Sequence, residues 1–391
     1  MGKNRQLPVR GTCGTPKRSE GTPARKSLPS LALIVFLVGA TMADFALSQG
    51  IGAADNGNAA ILINEIMYHP QSGRGQPEDI RQEYVELYNR GTQTIDLSGW
   101  RLSNGVDFVF PDVTVGAGQY LVVAADVATF KAIYRRMANV VGGWDGKLSN
   151  SGERIELLDR AGARIDSIRY SDQGDWGVRE LGPSDSGHRG WLWITEHDGR
   201  GRSLELINPA LGNEHGRNWA ASLVSGGTPG AINSVAAGNI APLITDVTHL
   251  PVIPGDDDTV TVSARIIDEA PSGVTAALYY RLDSSVYQNG NFLRRGGTTD
   301  YQVVQMFDDG THDDRQAGDG IYAASVPAQR DGAIVEFYIH ASDAEANRRT
   351  WPAPSIVDGT LEQVTNAFYQ VNDLFGTSVG CDLLCDHGRG G

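Results

Sequence analysis

The segment Glu83-Tyr84-Val85-Glu86-Leu87-Tyr88-Asn89 alternates two kinds of side chain, and this alternation decides the fold class. Val85 and Leu87 face one way while Glu86 and Tyr88 face the other, which is the period of a β-strand. The earlier run Ile-Leu-Ile-Asn-Glu-Ile-Met, residues 61–67, ends shortly before Pro70, which cannot donate to a strand ladder. Both segments therefore predict strands.

Working outward, the same pattern recurs at short intervals. The segment Ile-Asp-Leu-Ser-Gly-Trp-Arg-Leu (95–102) has the same kind of pattern, and an offset at Gly99 predicts a bulge or tight bend. Further strands are expected at 108–110 and 120–124. Residues 155–158 and 164–170 flank a turn containing Gly162, which predicts a hairpin. One short helix is expected at 129–137. The chain has 48 glycines, and many short strands joined by turns favour an all-β sandwich architecture.

Several phrases, in order, resemble the bacterial lamin-tail domain over residues 61–233. They are Ile-Asn-Glu-Ile-Met-Tyr-His-Pro (63–70), Glu-Tyr-Val-Glu-Leu-Tyr-Asn (83–89), Ile-Asp-Leu-Ser-Gly-Trp-Arg-Leu (95–102), Lys-Leu-Ser-Asn-Ser-Gly-Glu-Arg-Ile-Glu-Leu (147–157) and Gly-Gly-Thr-Pro-Gly-Ala-Ile-Asn (226–233). The resemblance implies an immunoglobulin-like sandwich that serves as an accessory module of exported proteins. Residues 171–200 depart from the pattern and are expected to form an insertion or long loop.

A second strand-rich unit follows a linker-like segment at 238–242. Val260, Val262, Ala264 and Ile266 alternate with polar residues and are expected to face inward. Val335, Phe337, Ile339 and Ala341 share one face of another segment, and both patterns predict a second immunoglobulin- or fibronectin-type sandwich. Its acidic loop, residues 307–322, resembles loops of exported bacterial proteins that lie beside CotH-type kinase-like modules. The expected organisation is a leader at 1–54, a lamin-tail-like domain at 59–235, a second sandwich at 241–372 and a flexible tail at 373–391.

The first fifty residues have the composition of a secretory signal. Seven Lys and Arg residues lie within 1–30, the apolar run Leu-Ala-Leu-Ile-Val-Phe-Leu-Val spans 31–38, and small residues follow. The apolar run is short for a membrane span, which needs about 20 residues. Export with cleavage between Ala46 and Ala54 is therefore expected, and an uncleaved anchor is the alternative. In an oxidising compartment Cys381 and Cys385 would form a small disulfide loop or remain two thiols.

Charge limits the expected partners. The formal net charge is −14, and a phosphate backbone repels an acidic surface, so general nucleic-acid binding is not expected. The acidic bias would instead attract divalent cations. A single short loop carries five carboxylates, and Ca²⁺ binds six to eight oxygens. The candidate calcium ligands are Asp308, Asp309, Asp313, Asp314 and Asp319; the alternative is that they form turns between two strands.

Other residue groups have the composition of candidate sites. Glu65 and Glu86 suit a glycosidase pair only if they flank a cleft, and the favoured alternative is that each binds backbone amides or faces solvent. His188 and His197 lie near Ser184, Asp185 and Ser186 without a Gly-x-Ser-x-Gly elbow, so no hydrolase triad is expected. Core packing is favoured over exposure for a group of tryptophans, and exposure would indicate carbohydrate or protein recognition. These are Trp176, Trp191, Trp193 and Trp219.

The sequence thus predicts a non-catalytic, exported interaction module. It would bind a protein, an extracellular polymer or the cell envelope through loops of the lamin-tail-like domain. The alternative is an accessory N-terminal fragment of a larger CotH-like kinase or hydrolase. An enzyme in its own right is disfavoured, because no nucleophile–base pair, phosphate loop or zinc spacing is present.

Overall fold

The computed structural model describes residues 59–71, 77–283, 285–288, 291–294, 301–364 and 367–373. The predicted leader at 1–54, Cys381, Cys385 and the tail beyond 373 lie outside these residues. Within the described residues, no helix is both long and apolar enough to cross a bilayer.

The first part of the chain is a sandwich of short strands. The strands are β1 (Ile61–Met67), β2 (Tyr84–Asn89), β3 (Ile95–Asp96), β4 (Arg101–Ser103), β5 (Phe108–Val109), β6 (Thr114–Val115), β7 (Tyr120–Ala124), β8 (Val140–Gly142), β9 (Arg154–Leu158), β10 (Arg164–Arg169), β11 (Val178–Asp185), β12 (His188–Ile194), β13 (Leu204–Leu206) and β14 (Trp219–Ala221). A six-stranded sheet has the order β14-β13-β1-β2-β7-β8, and a four-stranded sheet has the order β10-β9-β4-β5. Both sheets contribute to one buried core, which includes Ile63, Val85, Leu102, Ile155 and Ile168.

Local sequence explains the connections within this sandwich. Gly99 has φ of +76° where the chain bends between β3 and β4, as its offset predicted. The β9–β10 hairpin forms at the predicted place. The helix α1 (Val127–Ile133) begins after Asp126, whose carboxylate accepts the Thr129 amide at 2.7 Å. Short 3-10 helices span Ile80–Gln82, Gly174–Trp176, Pro209–Leu211, Gly216–Asn218 and Pro271–Gly273.

The second part of the chain is another sandwich. Its strands are β15 (Leu243–Leu250), β16 (Val260–Ile267), β17 (Thr275–Leu282), β18 (Ser285–Gln288), β19 (Asn291–Arg294), β20 (Gln302–Met306), β21 (Ile321–Val326), β22 (Ile334–Ser342), β23 (Arg348–Trp351), β24 (Ser355–Val357), β25 (Thr360–Glu362) and β26 (Ala367–Gln370). The sheets β15-β16-β21 and β20-β17-β22-β23, with β26 also on β22, enclose a second core. The predicted inward residues of β16 and β22 are all buried in it.

Residues 171–200 were predicted to be an insertion or a long loop, and the long-loop alternative was wrong. Residues 178–194 form the hairpin β11–β12, which turns at Ser186 and Gly187 with φ of +53° and +84°. Positive φ at both central residues is the geometry of a type I′ turn, which suits the twist of a two-stranded ribbon. A Ser-Gly pair between two strand-like segments was the signal that would have identified the hairpin.

The two sandwiches share a third sheet. Strand β11 pairs in parallel with β24, with Glu180 opposite Ile356, and the resulting sheet has the order β12-β11-β24-β25. The segment predicted as a linker also packs, because Ile240 is buried with Leu211 and Leu243. The junction therefore combines backbone pairing with apolar contact.

Candidate functional site

Three glutamates lie side by side on the six-stranded sheet, on the face opposite the one from which Val85 and Leu87 pack into the core between the sheets. Glu65 on β1 is directly opposite Glu205 on β13 and Glu86 on β2, so the three side chains project from one face of the sheet. A register shift between Ile63 and Glu65 indicates a bulge, which brings Glu65 into this row. All three glutamates are completely buried. We call them the glutamate row.

The glutamate row holds the segment that covers it, residues 222–235, which we call the strap. The Glu65 carboxylate accepts hydrogen bonds from Tyr84, Ser203 and the amide of Thr228 at 2.6, 2.6 and 2.9 Å. The Glu86 carboxylate accepts from Asn64 and from the Gly230 amide. The Glu205 carboxylate accepts from Thr228 Oγ1, Ser234 Oγ and the Val235 amide at 2.8, 2.7 and 3.2 Å.

Burial raises the pKa of two members of the glutamate row, Glu65 and Glu86. Loss of water raises the pKa of Glu65 to about 7, and the hydrogen bonds from Ser203 and Tyr84 oppose that rise. Burial also raises the pKa of Glu86 well above its usual range, and the nearby Glu65 carboxylate raises it further. The interpretation of Glu65 and Glu86 as ligands of backbone amides is confirmed by the Thr228 and Gly230 contacts.

The structure separates the histidines considered for a triad. His197 is buried, and its two ring nitrogens contact the Tyr68 hydroxyl at 2.7 Å and the Trp176 carbonyl at 2.9 Å. Burial lowers the pKa of His197, which favours the neutral ring. His188 is exposed beside the tip of the hairpin, directly opposite Asp185. The arrangement accordingly places His197 in a packing role beneath the hairpin.

The four tryptophans divide into two pairs with different environments. Trp219 is buried, and Trp176 packs beside it with ring centroids 6.0 Å apart, as core packing predicts. Trp191 and Trp193 are 40% and 38% exposed on β12, and Leu192 between them is 50% exposed. Arg179 of β11 covers one face of Trp191, with its guanidinium carbon 4.2 Å from the ring centroid.

Strand β12 is also the edge of its sheet. Within the described residues its strand neighbour is β11, so its outer backbone edge is not paired with another strand. An edge strand that displays large apolar side chains is a template for another strand. This edge, with Trp191, Leu192 and Trp193, is what we call the β12 edge.

The five aspartates of the predicted calcium loop have different hydrogen-bond partners. The Asp308 carboxylate accepts three amides of its own loop, and Asp309, Asp313 and Asp319 also bind nearby donors. Asp314 is 1% exposed, and its Oδ2 accepts the Gly310 amide at 2.7 Å while its Oδ1 is buried without a hydrogen-bond partner. Among the residues with described positions, no three His, Cys, Asp or Glu side chains are grouped to hold a metal.

Comparison with known proteins identifies both sandwiches. The Lamin Tail Domain family matches residues 54–172, and the family named Conditioned medium factor 2nd Ig-like domain matches residues 257–347. The chain therefore carries a lamin tail domain followed by an immunoglobulin-like domain, in an all-β arrangement. Strands β13 and β14 lie beyond residue 172 yet complete the six-stranded sheet, so that sheet extends past the matched region.

The curated sequences and the solved structures do not identify a function for this chain. No curated protein sequence matches the chain. A solved structure of the chicken CNTN1 FN1–FN3 domains is 11% identical and covers 80% of this chain and 98% of its own, with a TM-score of 0.19. The two domains found are typical of non-enzymatic modules.

The packing of the strap against the glutamate row predicts a sharp effect at Gly227. Its φ is +85°, and a Cβ there would lie 2.0 Å from Glu65 Oε1 and 2.3 Å from Tyr84 Oη. Gly162 is the matched control, because its φ is +84° and nothing lies within 4 Å of its Cβ position. We expect Gly162→Ala to cost about 1–2 kcal/mol for the left-handed backbone, and Gly227→Ala to cost about 2 kcal/mol more. Urea unfolding measures both; equal losses would contradict this packing.

The glutamate row also predicts that stability decreases as pH rises. The folded-state pKa of Glu65 is raised, so its contribution is complete below about pH 4.5 and is lost as the pH rises to about 7. We expect an effect on the order of 3 kcal/mol, and a smaller one in Glu65→Gln, whose side chain does not ionise. Urea unfolding at pH 4.5 and pH 8 tests this, with Glu362→Gln on exposed β25 as the control. An unchanged pH dependence in Glu65→Gln would refute the assignment.

Proposed function

We propose that this chain is an exported, non-catalytic interaction module that binds an extended segment of a partner protein at the β12 edge. The observation that carries the proposal is the exposure of Trp191, Leu192 and Trp193 on a strand whose outer side is unpaired in the described residues. Scattered apolar residues are common on protein surfaces, but three in succession on a strand edge favour recognition.

Strand addition explains how the β12 edge would bind. Backbone N–H and C=O groups of the partner would pair with those of β12, which provides affinity without a particular partner sequence. Alternate side chains of a strand point to opposite faces, so Trp191 and Trp193 share one face and Leu192 lies on the other. The partner strand would therefore contact apolar side chains on both faces of the sheet.

Two further observations support the export and non-catalytic parts of the proposal. The basic segment at 1–30 followed by the apolar run at 31–38 has the order of a secretory signal. Burial strongly raises the pKa values of Glu65, Glu83 and Glu86. Glu65 and Glu86 bind the strap and Glu83 accepts the Leu148 amide, all in the interior, where a substrate has no access. Burial in the folded structure therefore explains the raised pKa values at these positions.

We expect Leu192→Lys to abolish capture of the partner. Charged lysines on edge strands disfavour pairing with another strand, and Leu192 is exposed enough to be replaced without loss of core packing. Val109→Lys is the matched control, because Val109 is 56% exposed on β5, which is the edge of the four-stranded sheet. The measurement is quantitative recovery of proteins from culture fluid and envelope extracts on the immobilised chain.

Comparison of the two variants shows whether the partner binds at the β12 edge. Loss of about tenfold or more with Leu192→Lys, and none with Val109→Lys, supports the β12 edge. Equal capture by both variants would exclude the edge as the binding site. The N-terminal sequence of protein recovered from culture fluid tests the export proposal, and a chain retained in the cell would contradict it.

We also propose a calcium site in the 308–319 loop, on the specific observation of Asp314. This carboxylate is almost fully buried, and its Oδ1 is without a hydrogen-bond partner, which is costly for a charged oxygen. A bound cation would supply the missing interaction. Backbone carbonyls of the loop and water would complete an oxygen shell of the kind that Ca²⁺ prefers.

Thermal unfolding with Ca²⁺ and with chelator tests the calcium proposal. A ligand that binds only the folded state stabilises it, by about 2.7 kcal/mol at a hundredfold excess over Kd. We expect a higher melting temperature in millimolar Ca²⁺, and loss of that increase in Asp314→Asn. Asp257→Asn, in the exposed loop before β16, is the control. A melting temperature that does not respond to Ca²⁺ would eliminate the site.

A further inference from the structure

Four arginines meet where the two sandwiches share a sheet. Arg179 lies on β11, Arg217 lies in the 3-10 helix Gly216–Asn218, and Arg348 and Arg349 lie on β23. We call them the arginine cluster. They come from three elements that are far apart in sequence, so tertiary packing alone brings these charges together in a protein whose net charge is −14.

The arginine cluster carries more positive charge than its neighbours neutralise. Arg217 contacts Asp175 at 3.1 Å, whereas Arg179, Arg348 and Arg349 form no ion pair with a carboxylate among the described residues. Arg349 donates to the carbonyls of Arg217 and Ala241 at 3.1 and 3.2 Å, and its buried Nε is without a partner. Burial and the nearby Arg217 lower the pKa of Arg349 to about 10. The cluster therefore remains cationic at neutral pH.

Two adjoining clefts open beside the arginine cluster. One, of 160 Å³, is lined by Arg179, Arg217, Trp193 and Trp351, and also by Asp175, which pairs with Arg217. The other, of 370 Å³, is lined by Arg217, Arg348, Arg349 and His340. The two clefts share Arg217, Ala353 and Pro354, so they form one continuous surface with indole rings at one end and guanidinium groups along it.

We propose that this surface binds a carboxylated sugar polymer, with uronate carboxylates on the arginines and a sugar ring against an indole. A guanidinium group matches a carboxylate through two parallel hydrogen bonds, and such charge-assisted bonds are stronger than neutral ones. The flat indole of Trp193, which is 38% exposed, provides a surface for the apolar face of a ring. An acidic peptide would satisfy the arginines but would leave the indoles without a matching ring.

This site adjoins the β12 edge and shares Trp193 with it, but the two surfaces would bind by different chemistry. The edge would bind an extended backbone through strand pairing, whereas the clefts would bind anionic groups through Arg217 and β23. Leu192 does not line either cleft, so Leu192→Lys leaves the sugar site in place. Failure of one proposal can therefore be distinguished from failure of the other.

Calorimetric titration with oligogalacturonate and with oligoalginate tests the proposal on the full chain. We expect binding that weakens as salt rises, because exposed charge pairs are screened over about 8 Å at physiological ionic strength. Arg217→Gln and Arg179→Gln should each weaken binding about tenfold, the loss of one charge-assisted hydrogen bond. Arg154→Gln is the control, because Arg154 is 47% exposed in an ion pair with Glu156 and lines neither cleft. Unchanged urea midpoints verify folding of each variant.

The remaining arms distinguish the ligand classes. Fully methyl-esterified oligogalacturonate keeps the ring and lacks the charge, so its failure to bind supports carboxylate recognition. Trp193→Ala should weaken the sugar more than it weakens polyglutamate. Polyglutamate that binds as tightly as the uronates would overturn the proposal in favour of an acidic peptide. Absence of binding to both uronate oligomers, or equal binding by the Arg217→Gln variant, would also overturn it.

Discussion

Burial of the glutamate row is the constraint on which the lamin tail domain depends. Three carboxylates in the interior are costly unless each receives hydrogen bonds, and the strap supplies donors to all three. The strap is separated from β1 by more than 150 residues, so its hydrogen bonds to the glutamate row connect the two ends of the domain. Protonation reduces the remaining repulsion within the row, because burial raises the pKa values of Glu65 and Glu86.

The second organising feature is the sheet formed by strands of both domains. Backbone pairing between β11 and β24 and the buried contact of Ile240 with Leu211 attach the immunoglobulin-like domain to the lamin tail domain. This attachment gathers the arginine cluster and positions the β12 edge on the outer side of the same sheet. The binding surfaces proposed here consequently depend on the junction, which neither domain forms alone.

Much of the fold was predictable because its signals are local. The alternation in β16 and β22, the Gly162 hairpin and the offset at Gly99 each act within a few residues, and the structure agrees with them. The hairpin at 178–194 was missed because exposure of both its faces removes the period-two pattern. The tryptophans were assigned to the core as a group, yet two of them are exposed, since sequence proximity does not determine which side chains are covered.

The sequence by itself determined an all-β chain with two sandwiches, the order of the lamin-tail phrases and the position of most core strands, because alternation and turn residues act over short distances. Only the tertiary structure decided that Glu65, Glu86 and Glu205 lie in one row, that β12 is an edge, and that four arginines meet. Those features arise from strand register and domain contact, which in the pairs Glu65–Glu205 and β11–β24 join residues more than a hundred positions apart. The alternation of side chains along one strand does not indicate which distant strand it pairs with.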